Sequence, residues 1–327
     1  FLRLLMAKRP TPVIVVSSNN TRESVFRALE LGALEFVSKP TRTPFELGAE
    51  SAERRAFFGV EQGVRSMDPI RDELLAKVRL ARRLQMVPLL ERTRDHRDRL
   101  AQTAQTRAPA TRRSSDPGRG PAVPERLVCI GASTGGPAAI LSLLLSLDQT
   151  LPVGVLVTQH MPEAFTHAFA ERLGRATRWT VREAAPDDPV RTGAVLVAAG
   201  SFSLRVASGE VGGPLRVLPP SPDESRSTGF VPSVDRMLEA AALAAGSAVI
   251  AVILTGMSGE GVRGAQAVRA AGGIVLVEEP GSAVLAGMPE EVIRAGFADE
   301  IVPLPRMADA IARMLQRRIH DSGPRLR

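Results

Sequence analysis

The sequence has a single cysteine, and it lacks any apolar run long enough to cross a bilayer. Cys129 lies inside a hydrophobic segment and has no second cysteine with which to form a disulfide. Such a lone thiol indicates the cytoplasm, where Cys129 would be a buried structural residue. No segment reaches the roughly 18–20 apolar residues of a membrane span. The segment FLRLLMAKRP ends in basic residues, the reverse of a secretory signal. We therefore expect a cytoplasmic protein that does not insert into membranes.

Lysine is scarce as well, with 3 residues against 39 arginines, yet the formal net charge is +7. A positive balance raises the question of nucleic-acid binding. Ten arginines and four acidic residues fall between positions 82 and 120, so this segment supplies six of the seven net charges. Its Pro, Ser and Arg content is typical of a disordered linker rather than of a folded basic surface. We predict that the protein does not bind nucleic acid.

Hydrophobic patterning divides the chain into several parts. Strand and helix patterns alternate over 1–41, a segment too short to bury a sheet alone, which we interpret as part of a larger α/β domain. Residues 42–124 are predicted to form a linker that contains an amphipathic helix at 68–85. Residues 125–318 are predicted to form the main domain, and 319–327 a flexible tail.

The main domain continues the alternation of strands and helices. Continuous apolar strands such as AVIAVIL are expected where helices cover both faces of a sheet. The predicted fold class is therefore α/β, with a doubly wound, mostly parallel, Rossmann-like sheet. Short strand patterns near 178–220 predict an antiparallel excursion.

A glycine-rich turn, LVCIGASTGGP at 127–137, directly follows a predicted strand. Its glycines do not have the G-x-G-x-x-G spacing of a dinucleotide site, and Pro137 replaces the lysine of a phosphate-binding P-loop. The remaining active interpretation is G-x-S-x-G, in which Ser133 is a nucleophile exposed between a strand and a helix. A structural helix cap explains the same serine equally well.

A serine nucleophile needs a base within hydrogen-bond reach, and the chain has four histidines. His96 lies in the linker and His320 in the tail, and His167 is expected on the surface of a helix. His160 ends the strand pattern VGVLVTQ, at the edge of the sheet where ligands bind in open α/β folds. If the two strands are neighbours, His160 and Ser133 meet at that edge.

The segment ILTGMSGEGVRG repeats this geometry of strand, glycine turn and helix, with Glu260 in the turn. We predict that Glu260 orients His160 and that backbone N–H groups near Met257 complete an oxyanion hole. Asp235 and the pair Asp187–Asp188 are competing acids, but helix capping or exposure to solvent accounts for them.

Together the motifs IGASTGGP, QHMPEAFTHAFAERL, PSVD, ILTGM, AGG and GMPEEVI resemble the chemotaxis-type protein-glutamate methylesterase family over about 125–315. The resemblance implies that Ser133 is the nucleophile and His160 the base, with Thr134 and Met257 lining the oxyanion region. The family's triad acid is an aspartate, whereas this chain has Glu260. The resemblance further implies that the protein hydrolyses glutamate methyl esters and deamidates glutamine on cytoplasmic helices of methyl-accepting chemoreceptors. It implies that neither reaction needs a cofactor.

Residues 1–41 resemble the C-terminal part of the family's receiver domain, a response-regulator domain. The resemblance makes Ser17 the switch hydroxyl and Lys39 the phosphate-contacting lysine, with Pro40 a candidate cis proline. Because the chain opens on Phe1, we expect the phosphoryl-accepting aspartate and the metal-binding acids to lie upstream. A histidine kinase would then be the phosphodonor of a longer protein only. This chain itself should bind no metal.

Two interpretations of Glu260 follow. In the first, the enzyme tolerates a carboxylate that is one methylene longer. In the second, the substitution has weakened catalysis and left a binding or regulatory module of the signalling pathway.

Overall fold

The structure, a computed structural model, describes residues 1–17, 22–38, 68–81, 123–209, 213–222, 224, 229–257 and 259–316. The predictions for Lys39, Pro40 and His96 lie outside the described residues, as do most of the linker and the tail with His320. The boundaries proposed for the domains stay predictions.

Helices and strands alternate along most of the described chain. The helices are α1 (Leu2–Lys8), α2 (Arg22–Glu30), α3 (Asp68–Ala81), α4 (Gly136–Ser146), α5 (Glu163–Ala176), α6 (Val234–Ala245), α7 (Val262–Ala270), α8 (Gly287–Arg294) and α9 (Met307–Gln316). The strands are β1 (Ile14–Ser17), β2 (Glu35–Ser38), β3 (Arg126–Ala132), β4 (Val153–Gln159), β5 (Thr180–Glu183), β6 (Ala194–Val197), β7 (Val206–Ser208), β8 (Leu215–Val217), β9 (Val249–Ile253), β10 (Ile274–Glu278) and β11 (Glu300–Val302). Among the described residues, none of the helices has the length and apolar character that a membrane span requires.

Seven strands form one sheet in the order β11-β10-β9-β3-β4-β6-β5, and each neighbouring pair is parallel. Strand β3 is central, and the chain builds outward from it first through β4 and later through β9. Such a reversal of winding direction opens a crevice at the carboxyl ends of the strands. The predicted doubly wound α/β fold is confirmed.

The sheet is buried on both faces. Helices α4, α5 and α9 pack on one face, where Phe169 belongs to the core, and α6, α7 and α8 pack on the other, where Met237 does. This two-sided burial explains the continuous apolar strands, because every residue of β3, β4 and β9 is shielded from water. Cys129 is fully buried in β3, and burial raises the pKa of its thiol.

Residues 1–17 and 22–38, here called the N-terminal unit, pack against the first of these faces. Strands β1 and β2 pair in parallel, and α2 places Phe26 in a stacked contact with Phe169, with ring centroids 5.8 Å apart. Phe36 of β2 approaches Phe165 to 4.4 Å between ring centroids. Lys77 of α3 donates a 2.6 Å hydrogen bond to the carbonyl of Phe36. The predicted helix at 68–85 is therefore present over Asp68–Ala81, and it contacts β2.

The predicted antiparallel region of the sheet needs correction, and two short elements were not predicted. Strands β5 and β6 fall in the region predicted as antiparallel, but they join the main sheet in parallel. The antiparallel excursion is limited to the small ribbon of β7 and β8. In addition, the sequence patterns did not identify α8 or β11.

Candidate active site

The turn that carries Ser133 connects β3 to α4 at the carboxyl edge of the sheet. Gly131 has no room for a side chain, because a Cβ atom there would lie 2.3 Å from Val234 Cγ1. Gly135 has a φ of +77°, a conformation that glycine adopts without steric cost. These two positions account for the glycines of the G-x-S-x-G pattern and for the sharp exit of the chain after Ser133.

Backbone hydrogen bonds hold Ser133 against the two neighbouring strands. Its N–H donates to Thr255 O at 3.0 Å, just beyond β9. Gln159 Nε2, at the end of β4, donates to Ser133 O at 2.9 Å. The position of the serine is therefore fixed by the central three strands of the sheet.

His160 follows β4, next to the serine turn. Its N–H donates to Ala132 O at 3.1 Å, and its ring stacks on Phe230 with centroids 4.5 Å apart and planes 5° apart. His160 Nε2 lies 2.6 Å from Glu260 Oε2. Nδ1 is buried and has no hydrogen-bond partner among the described residues. The structure thus joins His160 to Glu260, whereas it forms no hydrogen bond between His160 and the Ser133 hydroxyl.

Glu260 lies in the turn between β9 and α7 and is held by the start of α6. Ser233 Oγ donates to Glu260 Oε1 at 2.5 Å, and the Val234 N–H donates to Oε2 at 3.0 Å. The side chains of His160 and Glu260 are 10% and 11% exposed, so the pair is largely shielded from solvent. The longer side chain of a glutamate is accommodated by three hydrogen-bonding groups on two carboxylate oxygens.

These contacts set the charge of Glu260. Burial by itself raises the pKa of this carboxyl group, but the hydrogen bond and charge of His160, with the bonds from Ser233 and Val234, outweigh it. The net effect is a lowered pKa. Glu260 is therefore a carboxylate at neutral pH, the state that orients an imidazole and stabilises its protonated form.

Asp235 has a different role from the one that its sequence position indicates. Ser233, not Asp235, caps α6, since Ser233 Oγ accepts from Arg236 N at 3.2 Å. Asp235 is only 4% exposed. Its Oδ1 accepts from the N–H groups of Gly261 at 2.9 Å and Gly264 at 2.8 Å. Asp235 thus caps α7, the helix that begins two residues after Glu260.

The other candidate acids and His167 lie outside this cluster. Asp187 is largely exposed, and Asp188 pairs with Arg182 at 2.7 Å and accepts from the Ala185 N–H in the same loop. His167 is exposed on α5.

Thr134 and Met257, the residues proposed for the oxyanion region, lie beside Ser133. Thr134 is buried, and its hydroxyl donates to Glu35 Oε2 of the N-terminal unit at 3.0 Å. Met257 is partly exposed and follows Gly256, where an added Cβ would lie 3.0 Å from Ser133 Cβ. The turn after β9 therefore approaches the serine closely.

The buried carboxylate of Glu278 is linked by hydrogen bonds to the turn after β9 and, through Thr255, to the turn of Ser133. Glu278 Oε2 accepts from the Thr255 N–H at 2.8 Å, and the Thr255 hydroxyl donates to Thr134 O at 2.9 Å. Ser17, for which the role of a receiver switch hydroxyl stays a prediction, lies at the end of β1 and pairs with Ser38 of β2.

Sequence reasoning missed three residues of this site: Ser233, Phe230 and Glu278. It interpreted Asp235 as a helix cap but did not predict its bonds to the turn of Glu260. The pattern PSVD before a helix signalled a cap, but nothing in it showed that the cap reaches Glu260 from another part of the chain. Phe230 and Glu278 carry no local signal for their contacts.

A parallel sheet whose carboxyl edge places a turn serine beside a histidine–carboxylate pair is the arrangement of an α/β serine hydrolase. Comparisons with known proteins narrow this class. The CheB methylesterase family model matches residues 128–311. A protein-glutamate methylesterase/protein-glutamine glutaminase of Anaeromyxobacter dehalogenans is 41% identical, over 85% of this chain and 67% of its own length. One from Myxococcus xanthus is 37% identical, over 97% of this chain and 80% of its own.

A solved structure agrees with these matches. The CheB methylesterase catalytic domain of Thermotoga maritima is 34% identical, with a TM-score of 0.54, and the match covers 58% of this chain and 97% of that one. The chain belongs to the CheB methylesterase family, as the sequence motifs predicted, and it is a hydrolase of the carboxylic ester class.

Proposed function

We propose that this enzyme removes methyl groups from glutamate γ-methyl esters on cytoplasmic helices of methyl-accepting chemoreceptors, and that it converts glutamine to glutamate by the same route. Membership of the family supports the reaction. The observation that carries the proposal is the bond between His160 Nε2 and Glu260, next to the turn of Ser133.

In the first half of the reaction, the Ser133 hydroxyl attacks the ester carbonyl. Since Glu260 engages Nε2, the free Nδ1 of His160 takes the hydroxyl proton. The tetrahedral intermediate places its oxyanion near the backbone N–H groups of Thr134 and Met257. Collapse of the intermediate breaks the bond to the methoxy group, and His160 returns the proton so that methanol leaves.

In the second half, water hydrolyses the acyl-enzyme. His160 Nδ1 takes a proton from water as its oxygen attacks the acyl carbon, and returns it to Ser133 as the serine ester breaks. The products are free enzyme and a glutamic acid side chain, which then ionises and releases its proton to the solvent. With a glutamine substrate, ammonia leaves in place of methanol.

The alternative that Glu260 has left only a weakened binding module is not supported. The relatives are named as enzymes, and the Glu260 carboxylate is bonded to His160 rather than displaced from it. Regulation by a histidine kinase remains a proposal for a protein that includes a phosphoryl-accepting aspartate.

The test is methanol release from a methylated chemoreceptor fragment by the wild-type protein and by Ser133→Ala. Loss of the nucleophile should lower kcat by about 10⁶-fold, as in other serine hydrolases. The matched control is Ser146→Ala, which removes a serine hydroxyl that bonds within α4 and should leave kcat unchanged. Full turnover by a folded Ser133→Ala protein would disprove the mechanism.

A further inference from the structure

An open groove of about 660 Å³ lies beside the His160–Glu260 pair. We call it the α6 groove, because residues of α6 form much of its wall, together with Phe230 and Arg263. Ser233 and Glu260, which are bonded to each other, also line it. The α6 groove therefore reaches Glu260 and Phe230, which contact His160 by a hydrogen bond and by ring stacking.

One face of α6 is presented to this groove. Arg236, Glu239, Ala240 and Leu243 line it, and their spacing of three, four and seven residues places them on one side of a helix. The opposite side of α6, with Met237 and Ala241, is buried in the core. Leu243 is 92% exposed, although it is among the more apolar side chains.

Two of the side chains that line the groove, Phe230 and Leu243, expose large apolar surfaces. Phe230, beside His160, is 47% exposed, and Leu243 lies at its far end. Seven residues of helix separate Arg236 from Leu243, which corresponds to about 10 Å. This length matches about two turns of a second helix laid along α6.

Arginines outnumber carboxylates by one in the lining of the groove. The lining contains three arginines, Arg205, Arg236 and Arg263, and two carboxylates, Glu239 and Glu260. Of the two carboxylates, Glu260 is hydrogen-bonded to His160.

Within the part of the chain that the structure describes, Arg236 and Arg263 make only long contacts with carboxylates. Arg263 lies 3.4 Å from Asp235 and 3.8 Å from Glu239, and Arg236 lies 3.9 Å from Glu224. A strong guanidinium–carboxylate bond is about 2.7–2.9 Å long. These side chains can therefore form closer contacts with carboxylates from outside.

We propose that the α6 groove binds the polypeptide that carries the methylated glutamate, as an amphipathic acidic helix. Its apolar residues would pack on Phe230 and Leu243, and its carboxylates would pair with Arg236 and Arg263, a helix-in-groove mode of recognition. The inference rests on the proposed function, since a protein glutamate esterase acts on segments that contain glutamate. To the proposed function it adds a binding surface that a protein substrate would contact and a small ester would not.

The test compares two substrates: a methylated chemoreceptor fragment and the small neutral γ-methyl ester of N-acetylglutamic acid α-amide. Leu243→Glu should lower kcat/KM for the fragment about tenfold, equivalent to about 1.4 kcal/mol, chiefly through KM. Leu243→Lys should lower it by much less, since lysine attracts an acidic helix. Because Leu243 is exposed, neither change should affect folding or hydrolysis of the small ester.

The matched control is Ile301→Glu, which places the same charge at an exposed apolar position on β11, the opposite half of the sheet. This substitution should leave kcat/KM unchanged for both substrates. Equal effects of Leu243→Glu and Leu243→Lys, an equal loss with the small ester, or an equal loss in the Ile301→Glu protein would overturn the proposal.

Binding measurements separate this proposal from the catalytic one. The Kd of the fragment is measured by calorimetry with Ser133→Ala and with Ser133→Ala/Leu243→Glu. A tenfold weaker Kd in the second protein supports the α6 groove even if the wild-type protein releases no methanol, which would refute the proposed function alone. Equal Kd values would refute the α6 groove while leaving the catalytic proposal intact.

Discussion

Glu260 lies where the resemblance to the family implies an aspartate, and its contacts show how the longer side chain is held. The carboxylate lies within reach of His160, Ser233 and the Val234 N–H at the same time. An aspartate on the same backbone would withdraw both oxygens by about 1.5 Å, a displacement of the size that costs catalysis about 10²-fold.

The first prediction at the residue scale is that Glu260→Asp lowers kcat with the small ester by about 10–10²-fold. Glu260→Gln, which loses the charge, should lower it by about 10⁴-fold, as in other triads. Single-turnover measurements of methanol release would check both values. A rise in kcat for Glu260→Asp would mean that the glutamate impairs the wild-type enzyme.

The second prediction concerns pH and stability. The pKa of Glu260 is lower in the folded protein than its ordinary value of 4.5, so the unfolded chain binds more protons in this range. Stability from this group is then fully present above pH 4.5 and is lost as the pH falls through the lowered pKa. The stability advantage of the wild-type protein over Glu260→Gln should shrink steadily below about pH 4.5.

Urea unfolding of both proteins between pH 3 and pH 7 would measure this difference, and Glu290→Gln removes a carboxylate from the exposed surface of α8 as a control. An advantage that grows on acidification would contradict the assigned direction of the shift.

At the scale of the elements, one short turn holds the N-termini of both α6 and α7. The turn at 233–235 caps α6 with Ser233, bonds Glu260 through Ser233 and Val234, and caps α7 with Asp235. The Glu260 side chain and the backbone that follows it are therefore tied to one short segment. Asp235 is a positioning residue, because it acts through the turn and does not contact His160.

The third prediction follows from the two bonds that reach the same oxygen, Asp235 Oδ1. Asp235→Ala should cost about 1.5–3 kcal/mol of stability and lower kcat more than tenfold, because the turn of Glu260 loses its anchor. Asp235→Asn keeps an acceptor oxygen and should restore most of kcat.

The control for this prediction is Asp299→Ala. Asp299 accepts from the Val275 N–H at 2.8 Å, at the opposite edge of the sheet, so its loss should lower the Tm but leave kcat unchanged. If Asp299→Ala lowered kcat as much as Asp235→Ala, the effect would be one of general stability.

The sequence predicted the central elements well because their signals are local. Continuous apolar runs and glycine turns marked β3, β4 and β9, and the carboxyl ends of parallel neighbours had to share one edge. The relations of Phe230, Ser233 and Asp235 to the site could not be predicted in this way. They depend on contacts between segments about 26 or more residues apart, which no period or spacing encodes.

Short elements were the other source of error. β11 has three residues and α8 has eight, with a proline inside it, so neither repeats its pattern often enough to be distinguished from a loop. The direction of β5 and β6 depends on the path of residues 184–193, which pack on β8 through the bond from Val190 N to Leu215 O. That path is a tertiary property.

At the scale of the whole molecule, the chemistry and the proposed recognition occupy different parts of one sheet. Ser133 and His160 follow the central strands, whereas the α6 groove is lined by α6 and by individual residues such as Phe230 and Arg263. The N-terminal unit lies over the other face, where Phe26 and Phe36 share the core with α5. It reaches the site through the contact of Glu35 with Thr134.

The burial of Cys129 at the centre of this sheet has a practical consequence. With its sulfur enclosed and its acidity suppressed, the thiol is inert toward alkylating or disulfide reagents while β3 keeps its neighbours. Labelling then proceeds at the pace at which the whole sheet opens. The rate at which a thiol reagent labels Cys129 therefore measures the opening of the sheet, and no cysteine has to be introduced for the measurement.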